Sequence, residues 1–271
     1  MANDGSLGTY LRDRRAKLDP TALGFPSMRR RTPGLRREEV AQRANVSATW
    51  YTWLEQGRGG APSADVLDRI ARALMLTEAE REHIFLLALG RPPEVRPRTT
   101  EGVTPRLQRV LDSLELCLGL VKNATWDIVA WNRAAATVLI DYAKLAPEQR
   151  NILRLLFCNP AVRAKMPNWE SDVRAVVAAF RLETARAGVS ERAKALVEEL
   201  SQASPAFAAM WRDNAVSRHG EGVKRMKHPI AGPLTFDYST FAVDGRPDLG
   251  LVIYTPATPA DAERVRKLLK P

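Results

Sequence analysis

Residues 36–57 constrain the fold of this chain more than any other stretch. Arg36–Ala44 has the spacing of a short helix, with Val40, Ala41 and Ala44 apolar. Asn45-Val46 makes a turn. Ser47 then supplies a side-chain oxygen able to cap a second helix running to about Gln56, which Gly57 ends. The flanks extend the pattern. Residues 6–18 carry Leu7, Leu11 and Leu18 roughly on one helical face, and Pro62-Ser63 opens a helix whose stripe is Val66, Leu67, Ile70, Ala71 and Leu74. Thr77 with Glu80 forms a capping box ahead of Ile84, Leu87 and Ala88. Five short helices within residues 1–90 predict one compact all-α domain.

The remainder obeys a different period. Residues 91–104 read as a linker, with Pro92, Pro93, Pro97 and Gly102 and no hydrophobic repeat. Thr104-Pro105 opens a helix carrying Leu107, Val110, Leu111 and Leu114. Strands are expected near 118–122 and 126–131, and Asn132 caps a following helix. Helices occupy much of 133–214, with a start at Ser204-Pro205. Three closing strands are expected at about 223–228, 234–243 and 249–254, where Leu234, Phe236 and Tyr238 alternate with polar residues. A charged helix follows from Pro259. Residues 105–271 are thus read as an α+β domain with a five-stranded antiparallel sheet covered by helices, and the length of 271 residues suits two domains.

Composition narrows the chemistry. The formal net charge is +10, and Arg29, Arg30, Arg31, Arg36 and Arg37 crowd one stretch, which favours a polyanionic partner. Two cysteines, Cys117 and Cys158, lack CxxC partners and stand in apolar contexts that suggest inert core thiols. The start has no signal-peptide core and no apolar run reaches spanning length, so a cytoplasmic chain without membrane insertion is expected. His83, His219 and His228 show no metal-ligand spacing, and no GxGxxG or GxxxxGK occurs. An enzyme, a metal and a cofactor are therefore not expected; His219 is a weak candidate base.

The run from Arg36 to Gly57 resembles the phage-repressor (XRE-type) helix-turn-helix. In that arrangement two short helices cross steeply while touching, which requires a small residue such as Ala41 at the crossing. Asn45 stands where the family often has Gly, a mild departure because Asn tolerates the left-handed backbone. The resemblance makes Ser47–Gln56 the recognition helix. Ser47, Ala48, Thr49 and Trp53 would then face the major groove of double-stranded DNA with Thr52 beside them. Arg36, Arg37 and Arg58 are placed for phosphates, and Arg30 and Arg31 for backbone or minor groove.

The wider pattern is closer to one subfamily. Arg30-Arg31-Thr32-Pro33-Gly34-Leu35, Leu54-Glu55-Gln56-Gly57-Arg58, Trp126-Asp127-Ile128-Val129-Ala130-Trp131-Asn132, Arg150-Asn151, Ser204-Pro205 and His228-Pro229 resemble the MmyB-like regulators. The resemblance implies a PAS-like C-terminal domain, a curved antiparallel sheet with helices folded over one face, and some relatives hold a fatty acid between them. The residues offered for such a lipophilic ligand are Trp126, Trp131, Arg150, Phe157, Trp169, Phe180, Arg181, Trp211, His228, Phe236 and Tyr238, with Arg181, Arg150 and His228 as cations for a carboxylate. A homodimer on a pseudo-palindromic operator is expected. The alternative is a C-terminal domain that only dimerises or binds a protein partner.

Overall fold

The computed structural model describes residues 6–26, 33–58, 60–93, 102–186, 191–217 and 220–270. The chain divides into two compact units, Met1–Pro93 and Glu94–Pro271. Arg30, Arg31 and His219 lie outside the described residues.

The first unit holds α1 (Ser6–Lys17), α2 (Arg37–Ala44), α3 (Ala48–Glu55), α4 (Ala64–Ala73) and α5 (Glu78–Leu89). Local chemistry sets most boundaries. The Arg36 N–H donates to Glu39 at 2.7 Å, which fixes the start of α2 one residue later than its apolar spacing implies. Asn45 ends α2 in the left-handed region at φ 51°. The Ser47 hydroxyl accepts from the Trp50 N–H at 3.0 Å, and Thr77 with Glu80 closes the expected capping box on α5. Leu7, Leu11, Leu35, Val40, Ala41, Tyr51, Leu54, Leu67, Ile70, Ile84 and Phe85 form one buried core. Gly8 allows α1 to meet the end of α3 backbone to backbone, since a Cβ there would stand 2.3 Å from the Glu55 carbonyl oxygen.

The second unit begins with α6 (Pro105–Asp112), followed by β1 (Leu118–Asn123) and β2 (Ile128–Trp131). A helical stretch follows: α7 (Arg133–Val138), α8 (Ile152–Cys158), α9 (Pro160–Ala164), α10 (Trp169–Arg186), α11 (Glu191–Ala203) and α12 (Pro205–Arg212). It closes with β3 (Glu221–His228), β4 (Gly232–Val243), β5 (Arg246–Pro256) and α13 (Pro259–Leu269). The five strands form one antiparallel sheet in the order β2-β1-β5-β4-β3. The late strands are longer than their apolar stretches suggested, and β2 starts at Ile128, not 126. The reason is Trp126, which sits in the left-handed region at φ 62° and belongs to the turn.

Alternation divides the sheet. Leu118, Leu120, Ile128, Met226, Leu234, Phe236 and Val252 pack with Ala135, Val138, Tyr142 and Leu155 in one cluster. Val121, Ala130 and Leu249 form another with Leu111 of α6. Gly119 belongs with this second set, because a Cβ there would press on Leu111 at 2.9 Å. A further cluster lies in the helical layer, around Trp126, Leu153, Val177, Phe180, Leu200 and Phe207. Among the described residues no helix is long and apolar enough to cross a membrane. The cysteines are not core thiols as expected: Cys158 is exposed and Cys117 partly so.

Candidate nucleic-acid interface and ligand cavity

Helix α3 has two unlike faces. Tyr51, Leu54 and Glu55 are buried, whereas Ser47 and Thr49 are exposed and Trp53 is 50% exposed. Thr49 and Trp53 are four residues apart, so they share the outward face. Ala48 is half-buried against the core, which leaves less of it to offer than the sequence suggested. Thr52 is committed differently, because its hydroxyl donates to the Ala48 carbonyl at 2.8 Å. Arg36 and Arg58 are exposed.

The arginine expected beside them, Arg37, is held elsewhere. Its Nε donates to Glu55 at 2.7 Å. The same carboxylate accepts from Arg15 Nε at 2.6 Å and from Arg15 Nη2 at 3.2 Å, while Arg15 Nη1 donates to the Leu35 carbonyl. The Glu55 side chain is fully buried. Burial alone would raise its carboxyl pKa, but the hydrogen bonds from Arg15 and Arg37 reverse that and hold it below the usual carboxylate range. This triad ties α1, the start of α2 and the end of α3 together. Arg37 therefore braces α3 before it is available to a phosphate.

In the second unit a half-open cavity of about 80 Å³ lies between the sheet and the helices. Its apolar wall includes Leu120, Ile128, Ile140, Leu155, Met166 and Met226, and the residues with polar side chains that line it are Tyr142, Tyr254, Lys165 and Lys224. None of the eleven side chains put forward from sequence lines it. Trp131 and Tyr238 stand one ring away, packed on Tyr142 at 5.3 Å and on Tyr254 at 5.9 Å between centroids. Phe236 is fully buried in the cluster below. Trp126, Phe157, Trp169, Phe180 and Trp211 pack with Phe207 inside the helical layer.

The three cations proposed for a carboxylate are otherwise engaged. The Arg181 guanidinium donates to the Trp211 and Ala215 carbonyls and lies 4.4 Å over the Trp211 ring, clamping the chain after α12. Arg150 Nε donates to the Leu145 carbonyl at 3.0 Å, and its guanidinium covers Trp131. His228 Nδ1 accepts from the Ile230 and Ala231 N–H groups, both at 3.2 Å, and burial lowers the pKa of its imidazole. It serves the β3–β4 turn as a neutral acceptor, not as a cation.

Lys165 and Lys224 escaped sequence reasoning. The available signal was the alternation in β3, which puts Lys224 on the same face as buried Met226 and His228. Basic residues at Arg225 and Lys227 on the other face obscured it.

A model of the MmyB-like transcription regulator ligand binding domain matches residues 103–269. The chain belongs to the MmyB-like family. A helix-turn-helix domain model matches residues 6–84, which contain all of α1 to α4 and the capped start of α5. A search of curated proteins finds no match. The two family matches make this MmyB-like chain a DNA-binding transcription regulator with a ligand-binding domain. Outward α3 lies in the first matched region, and the cavity under the sheet lies in the second.

Proposed function

We propose that this MmyB-like regulator reads a pseudo-palindromic operator as a homodimer, and that its second unit senses a small lipophilic ligand of the fatty-acid class. The observation carrying the DNA half is the split of α3, with Thr49 and Trp53 outward while Tyr51 and Leu54 anchor the helix. Ser47 and Thr49 stand at its N-terminal end, which in this motif points at base edges. A threonine hydroxyl bonds several bases and its methyl suits thymine; Trp53 offers apolar area to a sugar or a thymine methyl. Arg36 and Arg58 supply phosphate contacts, which give affinity and salt dependence without choosing a sequence.

The cavity supports the sensor half. It is lined mostly by aliphatic side chains with a few convergent polar groups, the composition of a small-molecule site. In-vitro selection from random duplexes tests the first half. Enrichment of an inverted repeat with half-sites about one helical turn apart, or a multiple of that, is expected. A selected pool without a shared motif overturns it. Native mass spectrometry of the purified chain, with a separate organic extract to identify what it carries, tests the second half, with a co-purifying lipophile as the expected result.

A further inference from the structure

We infer that Lys224 is the acid-binding group of the cavity, and that the ligand is a short-chain apolar monocarboxylate seated with its carboxylate at β3. The inference rests on the sensor function proposed above and specifies its chemistry. Lys224 lies half-buried on β3 and lines the cavity. Among the described residues its ammonium makes no hydrogen bond and no ion pair; its near neighbour is the Tyr254 ring, whose centroid is 5.8 Å from Nζ. A half-buried ammonium facing aliphatic walls is costly unless an anion completes it.

The other polar atoms suit the same head group. The Tyr142 and Tyr254 hydroxyls have no hydrogen-bond partner among the described residues, so both can donate to a carboxylate. Lys165 is less available, because its ammonium already donates to the Leu139 carbonyl at 2.8 Å. Burial lowers the pKa of both lysines, and an incoming carboxylate would favour their charged forms.

One carboxylate opposes such a ligand. Asp172, in the first turn of α10, acts on Lys224 through its charge without pairing with it, and also feels Arg225 on the far side of β3. Burial raises its pKa. An anion bound at Lys224 would compete with Asp172 for the same positive charge.

Size selects the tail. An engineered apolar cavity of about 150 Å³ holds benzene. The space here is about 80 Å³ and half-open, so by that measure only the first few carbons of a short chain fit inside and the rest lies in the open mouth, while a long chain requires Leu139, Val162 and Met166 to part.

Calorimetric titration of the full chain with sodium hexanoate and with 1-hexanol provides the test. The wild type should prefer the acid. Lys224→Met should weaken hexanoate at least tenfold without moving hexanol, and Lys224→Arg should restore most of the loss. Asp172→Asn should tighten hexanoate severalfold and leave hexanol unchanged, a gain that structural damage does not produce. Equal hexanoate binding by wild type and Lys224→Met overturns the assignment. So does a wild type that binds hexanol as well as hexanoate, although the lipophile sensor then stands. If neither probe binds the wild type, the short-chain inference falls, and the search for a co-purifying lipophile decides the sensor function separately. Should Lys224→Met fail to fold, Asp172→Asn decides, and an unchanged hexanoate affinity counts against the anchor.

Discussion

Glu55 shows how much one buried side chain does in this molecule. Its carboxylate takes hydrogen bonds from Arg15 and Arg37 and so fixes three elements of the DNA-binding unit. Replacing it with Ala leaves buried Arg15 without its counter-charge, a class of change that costs about 3–5 kcal/mol. Glu55→Ala should therefore melt the first unit early, as followed by circular dichroism. The pH dependence has a definite sign. The folded carboxyl titrates below its ordinary value of 4.5. Its stabilisation is thus complete above that value and is lost as pH falls through the folded pKa. Thr49 belongs to the opposite class, because it braces nothing and is exposed. Thr49→Ala should leave melting unchanged and relax base preference at one operator position by about 1–3 kcal/mol, measured by competition binding. An unchanged preference would place the wrong residues of α3 in the groove. Arg37, offered by sequence as a phosphate ligand, could not be sorted from Arg36 without coordinates. The two are adjacent and chemically identical, and the carboxylate that separates them lies eighteen residues away.

At the level of elements, the legible parts were those whose signals are local. The capped starts at Ser47, Ser63, Thr77, Thr104, Asn132 and Ser204 each stand directly before a helix, and their side chains accept as the cap positions require. Asn45 likewise adopts the left-handed turn that its place in the motif demands. Asn45→Val should destabilise the first unit by about 1–2 kcal/mol, whereas Asn45→Gly should be tolerated, because a branched side chain cannot take that backbone cheaply. Equal melting of the two variants would remove the conformational argument. The candidate ligand cavity was not legible for a contrasting reason. Aromatic residues stand out in a sequence, but here Trp126 of the β1–β2 turn, Phe157 of α8, Phe180 of α10 and Phe207 and Trp211 of α12 pack in one cluster and become core. The cavity is walled instead by ordinary aliphatics whose convergence depends on how α8 and α9 lie over the sheet, which no spacing encodes. The β1–β2 turn makes the same point. Its Asp127 meets Asn123, Thr125, Asn151 and Arg192, linking the turn to α8 and α11 through contacts remote in sequence.

For the whole molecule the decisive fact is that each unit has its own core, so the first should fold without the second. That separation gives a test of how the halves cooperate. If the second unit dimerises the chain, residues 1–93 alone should keep the helicity and base preference of α3, because the caps, the Glu55 triad and the packed core all lie within them. What the fragment should lose is the tethering of a second recognition helix to the other half-site. Tethering raises the effective concentration of the second contact and contributes about 10²–10⁴ in avidity without any new contact. The fragment should therefore bind a full operator weaker than the intact chain by a factor in that range, yet match it on an isolated half-site. Its slope of log affinity against log salt should fall to about half, since half the phosphate contacts remain. Fluorescence anisotropy across a salt series measures both quantities. A fragment that holds the full operator as tightly as the intact protein would show that any two-fold contact resides in the helical unit, leaving the second unit to act by its ligand alone.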